Sequence, residues 1–295
     1  MTEFKHIVTS EDDGMEVREI MRKHFDFSAR LRNRIKRERL TLLNGEETEG
    51  WSRVNAGDEI KIVLPDERSH FPPQPIPLDI VYEDDDIMLI NKQPGLIVHP
   101  TKGHPAGTVA NALTYYMEQT GVQWKIRFVN RLDMDTSGLL LVAKNSYSQN
   151  DITNQMRKNT IHKKYISIVK GEIEQESGTI DLPIGRPDPE DVRRGVMEDG
   201  APSVTHYKVL ERLKGHTLVE LLLETGRTHQ IRVHMSYIGY PVLGDHLYGG
   251  ENVLLIERQA LHAANLSFTH PMTKKPVDFS AELPEDMKKA IDKLR

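Results

Sequence analysis

The sequence predicts an α+β protein in which a mainly antiparallel, mixed sheet follows a smaller α/β unit. Three observations carry that expectation. From about residue 79 onward, short strand-like stretches dominate and are not separated by regular helices, which disfavours a doubly wound parallel sheet. The first 64 residues instead hold two amphipathic helical patterns followed by short extended pieces. Between the two lies a break in composition, LPDERSHFPPQPIPL, with prolines at 65, 72, 73, 75 and 77 and no glycine. Such a run makes a stiff, extended connector. The expected division is therefore 1–64, a linker at 65–78, and a larger domain at 79–295.

Each element has its own warrant. Residues 1–14 are acidic and unpatterned, and read as a loose arm or a short strand. Val17, Ile20, Met21 and Phe25 fall on one face of a helix. Ser28 has the chemistry of an N-cap for a second helix, in which Leu31 and Ile35 take the buried side. Asn44-Gly45 and Ala56-Gly57-Asp58 are turn signals, and the stretch up to Leu64 alternates like a strand. In the larger domain, strands are expected at 87–92, 126–131, 139–144, 164–171, 204–212 and 216–224. Helices are expected at 108–119, 150–159 and 228–238, the last with Thr228 as its N-cap.

Composition excludes several classes of function. The chain has 295 residues, with 38% hydrophobic and 28% charged, which is enough apolar material for a core. It has no cysteine, so disulfides, thiolate nucleophiles and cysteine metal sites are all out. No run of about 18 apolar residues offers a membrane helix, and the N-terminus lacks the basic-then-apolar order of a signal peptide. A cytoplasmic protein with no membrane partner is expected. Neither G-x-G-x-x-G nor G-x-x-x-x-G-K-[ST] occurs, so nothing points to a dinucleotide or a P-loop nucleotide. There is no H-E-x-x-H, and His229 and His234 are five apart, the wrong spacing for two ligands on one helical face. No metal and no cofactor is expected.

The net charge of −5 argues against nucleic acid until its distribution is considered. Residues 18–39 hold nine Lys or Arg against three Asp or Glu. A row of guanidinium groups on a helix suits a phosphate backbone, although a lone basic helix is more often a solvated face. Here the order is two short helices, then a small strand unit with LNG and a Gly-Asp turn. VREIMRKHFDFSARLRNRIKRERLTLLNG together with VNAGDEIKI resembles the alpha-L RNA-binding domain, the fold shared with small-subunit ribosomal protein S-four. On that resemblance Arg30, Arg32, Arg34, Lys36 and Arg37 are candidate RNA contacts.

The stretch RFVNRLDMDTSGLLLVAKN (127–145) places Asp133 and Asp135 in a loop between two apolar strands. The chain turns at Thr136-Ser137-Gly138 directly after them, and the two carboxylates are not read as an acid/base pair of the glycosidase kind. One is available for chemistry, and the other for the turn with Thr136 and Ser137; both as turn-formers is the plainer reading. Further along, Arg232 lies one turn into the helix at 228–238, and a structural ion pair is the plain account of it.

Four segments in order then carry a resemblance. INKQPGLIVHP (90–100), NRLDMDTSGLLLVAK (130–144), HKKYISIVKG (162–171) and GRTHQIRVHM…GYPVLGD…YG are similar to the motifs of the RluA-type pseudouridine synthases. These enzymes isomerise uridine to its C-glycoside in ribosomal or transfer RNA. Asn130 is a departure, since many members carry His there, and is expected to orient the loop.

The resemblance implies that Asp133 is the reactive carboxylate, Tyr165 the active-site tyrosine and Arg232 the partner of Asp133. The reaction breaks the bond from C1′ to N1 and remakes it at C5, with no group gained, no redox step and no metal. The carboxylate attacks as a nucleophile or acts as a base on the sugar; the sequence leaves both routes open. Burial by itself favours a neutral acid, and a fixed guanidinium offsets that. A ring against uracil supplies stacking of roughly 1–3 kcal/mol. The uridine must be flipped out of the RNA, and Arg131 is the candidate to fill the vacated stack or hold a phosphate. Arg157, Lys158, Lys163 and Lys164 line the expected RNA track or merely guard a sheet edge. Two rival readings are a non-catalytic, ribosome-associated RNA-binding protein on the same scaffold, and a hydrolase using the paired Asp. A monomer acting on ribosomal RNA, large-subunit in the first instance, or on transfer RNA is the expectation.

Overall fold

The computed structural model describes the chain apart from residues 1, 26, 66, 102 and 250–253. It begins with β1 (Thr2–Ile7), α1 (Val17–His24) and α2 (Ala29–Arg37). These are followed by β2 (Thr41–Leu43), β3 (Glu46–Glu47) and β4 (Glu59–Leu64). The Ser28 hydroxyl accepts the Leu31 N–H at 3.2 Å, so the cap read from the sequence starts α2. The strands form an antiparallel sheet in the order β1-β4-β2-β3. β4 turns Ile60, Ile62 and Leu64 inward at alternate positions, where they meet Val17, Ile20, Leu31 and Ile35 of the two helices. The acidic start of the chain is thus a paired strand and not a loose arm.

The connector has neither helix nor strand over 67–79. It does not hang free. The Asn111 side-chain amide donates to the Pro72 carbonyl at 2.8 Å, the Gly107 N–H to the Gln74 side chain at 2.6 Å, and the Ile126 N–H to Ser69 Oγ at 2.8 Å. Phe71, Ile76 and Leu78 pack on the larger core. Proline supplies the extended backbone, and these apolar side chains strap it down.

The larger sheet takes β5 (Ile80–Glu83), β6 (Ile87–Lys92), β7 (Arg127–Phe128), β8 (Ser137–Ala143), β9 (His162–Lys170) and β10 (Ser177–Asp181). After the two-stranded β11 (Ile184–Gly185) and β12 (Gly195–Val196), it continues with β13 (Val204–Leu213), β14 (His216–Leu223), β15 (Leu261–Thr269) and β16 (Pro276–Ser280). The order is β10-β13-β14-β9-β15-β8-β6-β5, with β7 on β8 and β16 on β15. Every pairing in it is antiparallel except β15 with β8, which makes the sheet mixed as expected. β8 is buried along its whole length, the mark of a central strand covered on both faces. The covering helices are α3 (Val109–Thr120), α4 (Ser146–Arg157), α5 (Gln230–Tyr237) and α6 (Glu285–Leu294).

Three expectations need correction. The strand placed at 126–131 keeps only Arg127–Phe128. Beyond it the Asn130 amide replaces the backbone ladder: it donates to the Leu139 carbonyl at 3.1 Å and accepts the Leu141 N–H at 2.7 Å. The helix placed at 150–159 begins earlier, at Ser146, because Asn145 accepts the Ser148 N–H at 2.8 Å as its cap. Thr228 does not cap α5. His229 occupies that position in the left-handed region (φ 58°), and the turn before it is closed by the buried Gln230 side chain, which accepts from Thr225 Oγ1 and the Arg227 N–H.

Candidate active site

The loop carrying Asp133 hangs between β7 and β8 and is fixed from three directions. At its end Gly138 adopts φ +106°, where β8 lies against its parallel neighbour β15. A Cβ there would sit 2.3 Å from the Ala263 carbonyl oxygen, so only glycine permits the approach. Within the loop, the Thr136 N–H donates to the Asp133 carbonyl at 3.1 Å, which closes the turn through backbone and leaves the side chain of Asp133 free.

Two buried cations hold the next two carbonyls. Lys92, at the end of β6 and only 1% exposed, donates to Met134 O at 2.8 Å, Gln93 O at 2.9 Å and Leu96 O at 3.0 Å. Three acceptors match the three donors of an ammonium group. Burial pulls the Lys92 pKa down to about 7, Asp135 and Asp133 act against it, and Arg258 acts with it. Arg258 donates to the Asp135 carbonyl at 2.9 Å while gripping Asp286 of α6 with two nitrogens, at 2.6 and 2.9 Å.

The side chain of Asp133 faces α5. Arg232 Nη1 lies 3.0 Å from Asp133 Oδ2, so the two groups meet across 99 residues of sequence. The guanidinium is itself fixed by Asp245, whose Oδ2 and Oδ1 accept from Nε at 2.7 Å and Nη2 at 2.9 Å. Asp245 is fully buried, and its Oδ1 also accepts the N–H groups of Leu247 and Tyr248. Gly244 before it has φ +76°, and a Cβ there would meet the Arg258 carbonyl oxygen at 2.0 Å. A bidentate fork on one side leaves Nη1 aimed at Asp133. Burial works against the charge of Arg232, but the two carboxylates outweigh it and hold the guanidinium above its ordinary pKa.

His229 Nε2 stands 3.9 Å from the same Asp133 oxygen, and its Nδ1 lies 2.9 Å from the Tyr248 hydroxyl. Burial, assisted by Arg232 and Arg194, lowers the His229 pKa against the opposing pull of Asp133 and Asp245. The Tyr248 ring underlies Arg232 at 5.0 Å, a cation–π contact. Tyr165, on β9, is buried and opens on the same cleft as Asp133; burial first, and the Asp133 charge second, push its phenol well above the usual value. The cleft has a volume of about 1000 Å³. Exposed Arg131 and half-buried Lys163 also line it.

Asp133, Arg232, Tyr165 and Arg131 are therefore brought to one cleft. The α2 cations are not. Arg30, Arg34 and Arg37 line a neighbouring groove facing α4, while Arg32 and Lys36 line a smaller concavity beside Trp51, which is 69% exposed. Sequence reasoning did not single out Asp245, Tyr248, Lys92 or Arg258. Asp245, Tyr248 and Lys92 stood inside the quoted motifs, and the Gly-Asp pair at 244–245 was the available signal.

Comparison with known proteins identifies the family. Residues 86–237 match the family model for RNA pseudouridylate synthase. A Bacillus subtilis protein named as an uncharacterized RNA pseudouridine synthase, YlyB, is 44% identical over 86% of this chain and 85% of its own. A ribosomal large subunit pseudouridine synthase D from Vibrio parahaemolyticus is 41% identical over 86% of this chain and 82% of its own. Among solved structures, human RNA pseudouridylate synthase domain containing 1 superposes with a TM-score of 0.59 at 29% identity, over 72% of this chain and 86% of that one. With more than half of its length under the family model, and with relatives above 40% identity along most of both chains, this chain belongs to the RNA pseudouridylate synthase family.

Proposed function

We propose that this RNA pseudouridine synthase acts on large-subunit ribosomal RNA, with Asp133 as the carboxylate that reacts at the sugar. The relatives named for the ribosomal large subunit favour that substrate over transfer RNA. The observation that carries the site assignment is the 3.0 Å contact of Asp133 with an arginine already locked by Asp245. A guanidinium already fixed by Asp245 aims the carboxylate into the cleft, at no cost of reorganisation when substrate arrives. The favourable interaction is with the anion, which both the nucleophile and the base routes require.

Tyr165 offers its ring to the flipped uracil, and its neutral hydroxyl can relay a proton at C5, giving up its own as it accepts another. Arg131, exposed at the mouth, fills the space the uridine leaves or grips its phosphate. The basic residues of α2 bind flanking RNA. The setting is the cytoplasm, where ribosomal RNA is assembled into subunits.

The test is direct. Purified protein is incubated with protein-free large-subunit rRNA and isomerised uridines are mapped. The parent is expected to form pseudouridine at a defined position and Asp133→Asn none, while both bind the RNA equally. Product formed equally by both proteins would remove Asp133 from its role.

A further inference from the structure

The active-site cleft does not end at the edge of the larger sheet. Lys125, Arg127 and Gln149 line it, and the same three residues line a second groove of about 890 Å³ between α2 and α4. The two spaces share a wall. Arg30, Arg34 and Arg37 of α2 join Lys125 and Arg127 around the groove, five cations in all. Among the described residues, two carboxylates, Glu38 and Glu67, face them there.

Neither carboxylate neutralises the groove. Glu38 is engaged on α2 itself, with Arg34 Nε at 2.9 Å and Arg37 Nη2 at 2.8 Å. Glu67, on the connector, meets three cations at once: Arg34 Nη1 at 3.2 Å, Lys125 Nζ at 3.8 Å, and Arg127 Nη2. One of the three comes from the small unit and two from the large one. In a chain of net charge −5, this is a local excess of positive charge around a single bridging anion. Such a concave surface with a net positive charge concentrates anions. The opposite wall, from α4, offers Ser146, Gln149, Asn150 and Thr153, polar groups suited to ribose and phosphate oxygens.

We propose that this groove is a second RNA-backbone site, which takes the single-stranded flank of the same RNA whose uridine enters the cleft. The proposal rests on reading the cleft as the uridine site, since continuity through Lys125 and Arg127 is what selects RNA over other anions. Phosphates supplement Glu67 as counter-ions to the three cations, so a strand that occupies the groove also ties α2 to the larger sheet. The flank then adds affinity by spanning two sites on one molecule.

Asn150→Asp combined with Thr153→Glu tests this, because both residues border the groove and neither borders the cleft or lies on α2. Two probes are used: the rRNA stem-loop bearing the mapped uridine, and the same stem-loop with a single-stranded extension. The parent is expected to bind the extended probe more tightly than the bare one. The double variant loses about tenfold in affinity for the extended probe only, with a shallower salt dependence. Lys289→Glu, a charge reversal at an exposed position of α6, leaves both affinities unchanged. Arg37→Glu, at an arginine 75% exposed, reproduces the loss. An extension that adds no affinity in the parent, or a double variant that binds it as the parent does, overturns the groove. If the parent isomerises neither the bare nor the extended stem-loop, the reading of the cleft is overturned instead.

Discussion

Asp133 does little to hold itself in place. Its carboxylate is aimed by Arg232, its following carbonyl is held by Lys92, and the next by Arg258. Lys92 gives this arrangement a pH signature. In the unfolded chain the lysine keeps its proton to about 10.5, whereas burial lowers it to about 7 in the fold. Between those values the unfolded chain binds more protons, so this group makes stability rise with pH. The part of the penalty lost between pH 7 and pH 9 amounts to about 2 kcal/mol. Lys92→Met is expected to be less stable overall, because three carbonyls lose their donor, and to lack that part of the slope. Urea midpoints at pH 7 and pH 9 measure it; parallel pH dependence in parent and variant would refute the assignment. The sequence showed Asp133 and Arg232 through motif resemblance. It could not show Asp245 as the anchor of Arg232, nor Lys92 under Met134, because such contacts are made by the fold between segments that are distant or differently oriented.

At the scale of elements, legibility follows the range of the determining contact. Ser28 and Thr108 cap their helices as their local chemistry dictates, through N–H groups three residues on. β6 lies at 87–92 as its apolar run requires. The start of α5 was misplaced because the Gln230 side chain, not a hydroxyl cap, closes the preceding turn. β15 and β16 were missed, and β15 is the strand that makes the sheet mixed. Its parallel contact with β8 is where Gly138 becomes indispensable. Gly138→Ala must move the Ala263 backbone, with N 2.7 Å and O 2.3 Å from the new Cβ. We expect a loss of about 2–4 kcal/mol. The same shift displaces the Asp133 loop, and a 1 Å error costs roughly a hundredfold in rate. Gly215→Ala is the control: its φ is +64° with nothing within 4 Å, so it costs about 1 kcal/mol and leaves turnover intact. Equal effects from the two substitutions, by urea midpoint and single-turnover rate, would show that positive φ and not the strand contact matters at 138.

Across the whole molecule, the small sheet and the large one are joined by more than the connector. Tyr147 belongs to α4, yet it is buried among the aromatic side chains of the small unit, 4.8 Å from the Phe4 ring and 5.8 Å from that of Phe27. Met272 packs against the same cluster. An ionic bridge through Glu67 accompanies this apolar plug. The half-buried Arg34–Glu67 pair that ties the small unit to the connector contributes about 1 kcal/mol and weakens with salt, while an aromatic side chain removed from a core costs about 3–5 kcal/mol. The plug therefore dominates the coupling. Coupled units melt as one, and weakly coupled units separately. Trp124 is buried in the larger core and, in a Trp51→Phe background used for parent and variant alike, reports that unit by fluorescence, whereas calorimetry senses both. In the parent, the two signals are expected to coincide. In Tyr147→Ala, heat is absorbed in an earlier transition that leaves Trp124 emission unchanged, and added salt alone does not produce this in the parent. Coincident signals in the variant would mean that the ionic bridge carries the coupling. RNA spanning cleft and groove would then raise the earlier transition of the variant more than the later one, because only the bound strand would still join the two sheets.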